Sequence, residues 1–249
     1  MAYNGEHGLY FETIGGETVV NTWDDWHLIP TSRPTMSLPA AQNRFVEIPG
    51  MNGSYDISEY LTTDVTFADR SGSFEFVVDN GHEDWITIYQ KIASFLHGRN
   101  LALRLADDPE WYYRGRFTLD EWKSEAARSK ISISYRVNPF KYSVYGSYFP
   151  EDVIWDLFCF ERDADLSKFY HMQVSGTSTY RIDPGGYRSS IVARLISGGP
   201  VTTTVNGITT TLPSSGSTIT IGTVAPTKTT DVKVSGTGVI DLGWQKMSL

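Results

Sequence analysis

Between Arg70 and Phe117 the chain leaves strand periodicity for a helix and then returns to it, and this one excursion limits what the rest can build. Ser73 to Val78 alternates, with Phe74, Phe76 and Val78 on one face and Ser73, Glu75 and Val77 on the other, the pattern of a half-buried strand. The period then becomes helical. Trp85, Ile88, Ile92 and Phe95, flanked by Tyr89 and Leu96, predict a helix of about three to four turns with one apolar face. Asp79, Asn80, Glu83 and Asp84 suit its positive N-terminal end, and His97-Gly98 offers a cation in the last turn followed by a C′ glycine. Leu101, Leu103 and Leu105 alternate next, Asp107 to Glu110 reads as a turn, and Trp111 to Phe117 runs back as an aromatic strand. The expectation is one helix laid on an antiparallel sheet.

The flanking segments fit that sheet. Leu9 to Phe11, a Gly15-Gly16 turn and Val19-Val20 predict a hairpin. From Trp23 to Ser54 the order is loose, because Pro30, Pro34, Pro39 and Pro49 interrupt a segment whose one strand-like run is Arg44 to Ile48. A loop of that length is expected to be functional or paired with another chain, and Trp23 and Trp26 are expected to be exposed on it. Met51 to Ser54 supplies a turn, Tyr55 to Leu61 a short element and Thr62 to Ala68 a strand. Asp120 to Arg128 reads as a surface connection. Ser129 to Val137 closes the first half, with Ile131, Ile133, Tyr135 and Val137 on one face.

Pro139 ends that strand, and beyond it Thr, Ser and Gly dominate, so the chain divides into residues 1–143 and 144–249. Trp155 to Phe160, Met172 to Ser175, Ser190 to Ser197, Thr218 to Ile221, Val232 to Ser235 and Val239 to Trp244 read as short strands. The clearest hairpin is Val201 to Leu212. Its Asn206-Gly207 turn pairs Val205 with Ile208 and Val201 with Leu212, with all four apolar side chains expected on one face. Short strands joined by Gly-rich turns imply a second β-sandwich or jelly roll.

Chemistry is sparse by comparison. His7, His27, His82, His97 and His171 are scattered without metal-ligand spacing, and no cofactor is expected. Cys159, the single cysteine, lies in an apolar run and reads as a small buried side chain. Asp24-Asp25 and Asp107-Asp108 read as turn residues, ahead of a glycoside hydrolase built on Asp107 or Asp108. No GxSxG, P-loop or GxGxxG sequence occurs. A net charge of −8 argues against a phosphate-binding surface as the main function. Up to Ser143, 13 Lys and Arg stand against 20 Asp and Glu, a balance of −7, so the acidic excess lies in the first half. Neither a secretion signal nor a membrane-spanning run is expected from the sequence.

The segments NTWDDWHLIPTSRP, VEIPGMNGSYDISEYLT, RSGSFEFVV, LHGR, ADDPEWYYRGRF and ISISYRVNPFKY, in that order, resemble the distal tail protein of long, non-contractile-tailed bacteriophages of Gram-positive hosts. WDLFCFERD and GTGVIDLGWQKMSL are similar to the ends of that family's galectin-like domain. The resemblance implies a mainly β chain: an N-terminal β-sandwich with one α-helix, then a C-terminal galectin-like β-sandwich. It implies a structural protein, not an enzyme. Six copies form a ring at the tail tip, located in the virion after assembly in the host cytoplasm. By the same resemblance the ring joins the major tail tube protein to the tail-associated hub or lysin protein and in some phages carries receptor-binding proteins; the acidic first half of this chain fits an electronegative lumen through which DNA would pass without specific binding. The ring interface is expected at the loop from Trp23 to Pro49, with Trp23 and Trp26, and at the hairpin carrying Asp107, Asp108, Trp111, Tyr113, Arg114 and Arg116. The alternative is a glycan-binding module acting directly in adsorption, with Trp23, Trp26 or Trp244 as stacking residues. Residues 144–249 lack the galactoside-binding set of true galectins.

Overall fold

In the computed structural model Phe74, Phe76 and Val78 are buried while Ser73 and Glu75 are exposed, so the alternation predicts the inward face correctly. The structure describes residues 6–14, 18–60, 64–78, 85–120, 123–124, 129–144, 169–182, 187–224, 228–245 and 247–249. The expected strand at Trp155 to Phe160, Cys159 and the acidic helix cap at residues 79–84 lie outside them. The chain separates into two units, Met1–Lys141 with Leu249, and Tyr142–Ser248. The described residues are mainly β, with one helix and curled sheets, consistent with β-sandwiches and a single helix.

The elements of the first part are β1 (Leu9–Thr13), β2 (Val19–Asn21), β3 (Leu28–Pro30), β4 (Phe45–Glu47), β5 (Ser54–Asp56), β6 (Arg70–Val78), α1 (Trp85–Leu96), β7 (Asn100–Leu105), β8 (Asp108–Leu119), β9 (Lys123–Ser124), β10 (Ser129–Val137) and β11 (Lys141–Ser143). The main sheet is antiparallel in the order β2-β1-β7-β8-β10-β6-β3, with β9 beside β10. β6 and β7 are separated by two strands, so α1 connects them across β8 and β10. Its buried side chains are Trp85, Ile88, Ile92 and Leu96, and burial of each aliphatic one contributes about 2 kcal/mol. They meet Leu101, Leu103, Phe117, Ile131 and Ile133 from the sheet. Gly98 has φ +72° as the C′ residue. His97 acts differently from expectation: it lies past the last helical residue, and its Nδ1 accepts the Leu119 amide at 3.3 Å, tying the helix end to β8.

Three local readings are corrected. Leu28–Pro30 is an edge strand on β6, although the prolines around it masked any period. Of the strand expected from Thr62 to Ala68 the described residues, 64–68, form none and make a single bridge, Phe67 to Ala41. The turn between β7 and β8 is shorter than Asp107 to Glu110, because β8 already begins at Asp108 and accommodates Pro109 in a register shift against Leu105.

The second part contains β12 (Met172–Ile182), β13 (Ser189–Gly198), β14 (Val201–Val205), β15 (Ile208–Leu212), β16 (Thr218–Val224), β17 (Thr230–Trp244) and β18 (Met247–Ser248). Its sheet runs β15-β14-β17-β13-β16, with β12 paired along β17. The two strands expected at Val232 to Ser235 and Val239 to Trp244 are one. Its first half pairs with β14 and its second half with β13, and Gly236, φ +141°, sits at the corner between them. A Cβ there would lie 2.8 Å from the Pro200 carbonyl oxygen, so only glycine fits. The curl brings the ends of the sheet together: Val205 of β14 lies directly over Gly222 of β16. Val201, Val205 and Leu212 are buried in the expected register, but Ile208 at the hairpin tip is 64% exposed. Thr203 fills the face instead, fully buried, its hydroxyl donating to the Thr210 carbonyl at 3.2 Å.

Candidate oligomer interface

The residues expected to reach a partner divide sharply. Asn21 ends β2 with an Asx turn: its Oδ1 accepts the Trp23 amide at 2.7 Å, while Asp25 Oδ2 accepts the Asn21 amide at 2.7 Å. That turn rotates Trp26 inward, against expectation. Trp26 is 4% exposed, with its ring 5.9 Å from those of Phe11 and Phe95, so it is a core residue and presents nothing to a neighbour. Trp23 stays half-buried at the surface, edge-on to His27.

On the second predicted patch, Tyr113 is also core. It is buried under the Arg70 guanidinium, 5.3 Å from the ring centroid, and burial raises its pKa. Arg70 is itself buried and donates to the carbonyls of Pro139 at 2.8 Å and Ser37 at 2.7 Å. Asp107 and Asp108 diverge. Asp107 takes His7 Nδ1 and Arg33 Nε, each at 2.9 Å; burial pushes its pKa up, and hydrogen bonds from Arg33 and His7 outweigh that and hold it below the usual value. Asp108 pairs with Lys141 Nζ at 2.8 Å, and that ammonium also lies 5.1 Å over the Trp111 ring. These two carboxylates fasten the turn to its own chain. They do not share a site as a hydrolytic pair would.

Arg114 and Arg116 remain exposed, and they belong to a constellation that crosses strands. Arg116 stands directly opposite Arg136 of β10. With Asp69, Asn100, Arg114, Gly115 and Asn138 they line an open cleft of about 350 Å³. On the opposite, inward side a Cβ on Gly115 would strike the Arg136 carbonyl oxygen and Val137 Cα, so only glycine allows β8 and β10 this close approach. Arg136 Nε donates to Asp69 Oδ2 at 2.8 Å, Arg116 Nη1 donates to the Gly98 carbonyl at 2.8 Å, and Arg114 lies over the Tyr112 ring. The same outward face carries Arg104 and Lys130 against Glu12 and Glu75, so the acidic excess of the first half is not located here.

A part of it, Glu47, Asp56 and Glu59 against Arg44, lies on a hairpin arm inside the proline-interrupted segment. Its root is fixed, with Gln42 N–H to Thr66 O at 2.8 Å and Ala68 N–H to Ala40 O at 2.9 Å. Beyond the root, β4 and β5 pair only with each other, Phe45 with Asp56, Val46 with Tyr55 and Glu47 with Ser54. Ser58 Oγ accepts the Arg44 amide at 2.7 Å and donates to Asp56, whose pKa is lowered by the side-chain and then the backbone hydrogen bond from Ser58. Every residue of both strands is exposed. Phe45, Val46, Ile48, Met51, Tyr55 and Tyr60 keep between 43% and 80% of their surface open. An isolated two-stranded hairpin is marginal in water, and so many uncovered apolar side chains on one arm mark an interaction site.

Among the described residues no group of three or more His, Cys, Asp or Glu is placed to hold a metal, and no helix is long and apolar enough to cross a membrane. No protein-family profile and no curated protein sequence matches the chain. Solved structures do. SPP1 Dit, whose crystal structure is described as a paradigm of the hub adsorption apparatus in phages infecting Gram-positive bacteria, superimposes with a TM-score of 0.58 at 12% identity, covering 97% of this chain and 99% of its own. The chain has the fold of a phage Dit protein. Its nearly complete coverage in both directions leaves no large insertion on either side. The Dit fold accounts for both units of the chain, and the resemblance read in the sequence finds its structural counterpart.

Proposed function

We propose that the chain is a structural, non-catalytic component of a phage tail tip, six copies of which form a ring joining the tail tube to the tail-associated hub protein and organising host adsorption. The first unit, with the arm, forms the ring in this reading, and the second is a galectin-like scaffold. The observation that carries it is the Dit fold over 97% of the chain, combined with an arm whose apolar side chains are uncovered in a single copy. Ring contacts fall on Trp23, Trp111, Arg114, Arg116 and the arm, because Trp26 and Tyr113 lie in the core. DNA passes through the lumen without specific binding. The test is the absolute mass of the purified protein by light scattering after size exclusion, with negative-stain images of the same peak. A species near six times the 27.9 kDa chain with a central hole is expected. A monomer that binds cell-wall glycans and is missing from virions would overturn the reading in favour of an adsorption module.

A further inference from the structure

The outward face of β7, β8 and β10 gathers cations in the middle of the sheet. Asn100, Arg116 and Arg136 stand in one cross-strand row, and Arg114 lies two residues from Arg116 on the same face of β8. Like charges directly opposite across a ladder cost stability, so the Arg116 and Arg136 pair works against folding, a kind of conflict that proteins keep at functional sites. The three heads are nonetheless held in place. Arg136 Nε donates to Asp69, Arg116 Nη1 donates to the Gly98 carbonyl, and Arg114 lies 6.0 Å over the Tyr112 ring. A guanidinium carries five N–H donors, and the described contacts occupy one at most on each head. Asp69 is the one carboxylate lining the cleft against three arginines.

These charges form a track. Along β8, Arg114 and Arg116 are about 6.8 Å apart at strand rise, and Arg136 lies one strand, about 4.8 Å, to the side. Arg104, paired with Tyr112 one row beyond Arg114, continues the line, with Glu12 opposite Ala102 at its border. In the other direction the face turns acidic at Glu75, four residues along β6 from the Ser71 that pairs with Arg136. A polypeptide finds little to hold here. β7, β8 and β10 are interior strands whose backbone groups are used by their neighbours, so an added strand has nothing to pair with. Val137, the one large apolar residue of the lining, is 1% exposed, so no pocket awaits the aromatic or aliphatic anchor of a protein interface. A surface that offers guanidinium charge and amide side chains at regular intervals suits a ligand that presents anionic oxygens at regular intervals, the sugar-phosphate backbone.

We propose that the arginine cleft is a sequence-independent contact site for the phosphates of a nucleic-acid strand, with Arg114, Arg116 and Arg136 donating to phosphate oxygens. The contact goes beyond the tail-tip reading and does not depend on ring formation. Because it is made to the backbone, it is compatible with the passage of DNA of any sequence.

The experiment titrates fluorescein-labelled DNA of about 20 nucleotides, single-stranded and duplex, with the full-length protein by anisotropy at salt concentrations from about 50 to 200 mM. Binding of either form supports the proposal, with a log–log salt slope of about −2 to −3 for three neutralised phosphates. Arg114→Glu is expected to weaken binding tenfold or more. Arg116→Gln, which also relieves the facing pair, is expected to weaken it several-fold and to make the slope shallower by about one. Lys228→Glu makes the same charge change on an exposed side chain of the second unit and is expected to alter binding less than about twofold. Thermal melts confirm the fold of each variant, and Arg116→Gln carries the test if Arg114→Glu does not fold. Wild-type protein that binds neither DNA at the lowest salt overturns the proposal, and so does an equal loss in Lys228→Glu, which assigns binding to net charge. Inorganic phosphate and poly-glutamate compete at matched ionic strength. Inorganic phosphate that displaces the strand at an equal concentration of phosphate groups makes the cleft a free-anion site, and poly-glutamate that displaces it better than unlabelled DNA makes it a receptor for acidic protein; either result sinks the nucleic-acid assignment. Light scattering on the same samples reports assembly separately, so failure here leaves the ring reading intact.

Discussion

The chain contains two β-hairpins that use similar residues for opposite ends. β14 and β15 make five cross-strand pairs around Asn206-Gly207 and bury Val201, Thr203, Val205 and Leu212. β4 and β5 make three pairs around a longer turn and bury nothing. The first hairpin commits one face to a core. In the second, apolar side chains occupy both faces, Phe45 on one and Val46 with Tyr55 on the other, so no single orientation against its own sheet could cover them. Hydrophobic content does not distinguish them. Register against a third strand does, since β14 has β17 as a second neighbour and β4 has only β5.

The same substitution placed in each hairpin separates these roles most strongly. Val205→Asp puts a carboxylate into a fully enclosed site and is expected to cost about 4 kcal/mol or more, unfolding the second unit in a thermal melt. Val46→Asp is expected to move the melting free energy by no more than about 0.5 kcal/mol while impairing assembly. If Val46→Asp unfolded the chain, the arm would be structural and the contrast would collapse. A smaller effect is expected at the arm's anchorage. Arg70→Leu leaves the Ser37 and Pro139 carbonyls without their donor, a loss of about 2 kcal/mol. Hydrogen exchange at Gln42 and Ala68 should accelerate with it, whereas the amides of β14 should not change. The smallest effect is confined to the arm and to acid. Asp56 has a folded pKa below its ordinary 3.8, so its contribution is fully present above that value and disappears as pH falls through the folded one. Amide exchange at Arg44 and Ser58 should therefore rise only below about pH 3.8, and Ser58→Ala should produce the same local opening at neutral pH.

What could be read from the sequence tracks how local the determining physics is. The buried faces of β6, α1, β7 and β10 are written in periodicity, and the Asn206-Gly207 turn fixes its register without outside help. Trp26 could not be placed that way. Its neighbours are Asp24 and Asp25, and only the hydrogen bonds of Asn21 reveal that the turn delivers the indole to Phe11 and Phe95. β17 reads as two strands because Gly236 and Gly238 look like turn residues, whereas they let one strand change layers. The arginine cleft was half visible: alternation puts Arg114 and Arg116 on one face, but the juxtaposition of Arg116 with Arg136, twenty residues later, depends on a long-range register. Ile208 failed for a simpler reason, since the face it shares extends past the edge of the core at the hairpin tip.

The corner strand β17 also governs how the second unit would answer to force. β12 lies along it through an unbroken register from Met172 paired with Ile240 to Ile182 paired with Thr230, and β13 and β14 hold its two halves from the other side. Tension applied along β17 loads these ladders in shear, so their hydrogen bonds must yield together instead of peeling one after another. The second unit is built as a mechanical clamp, stiff until the whole ladder gives way.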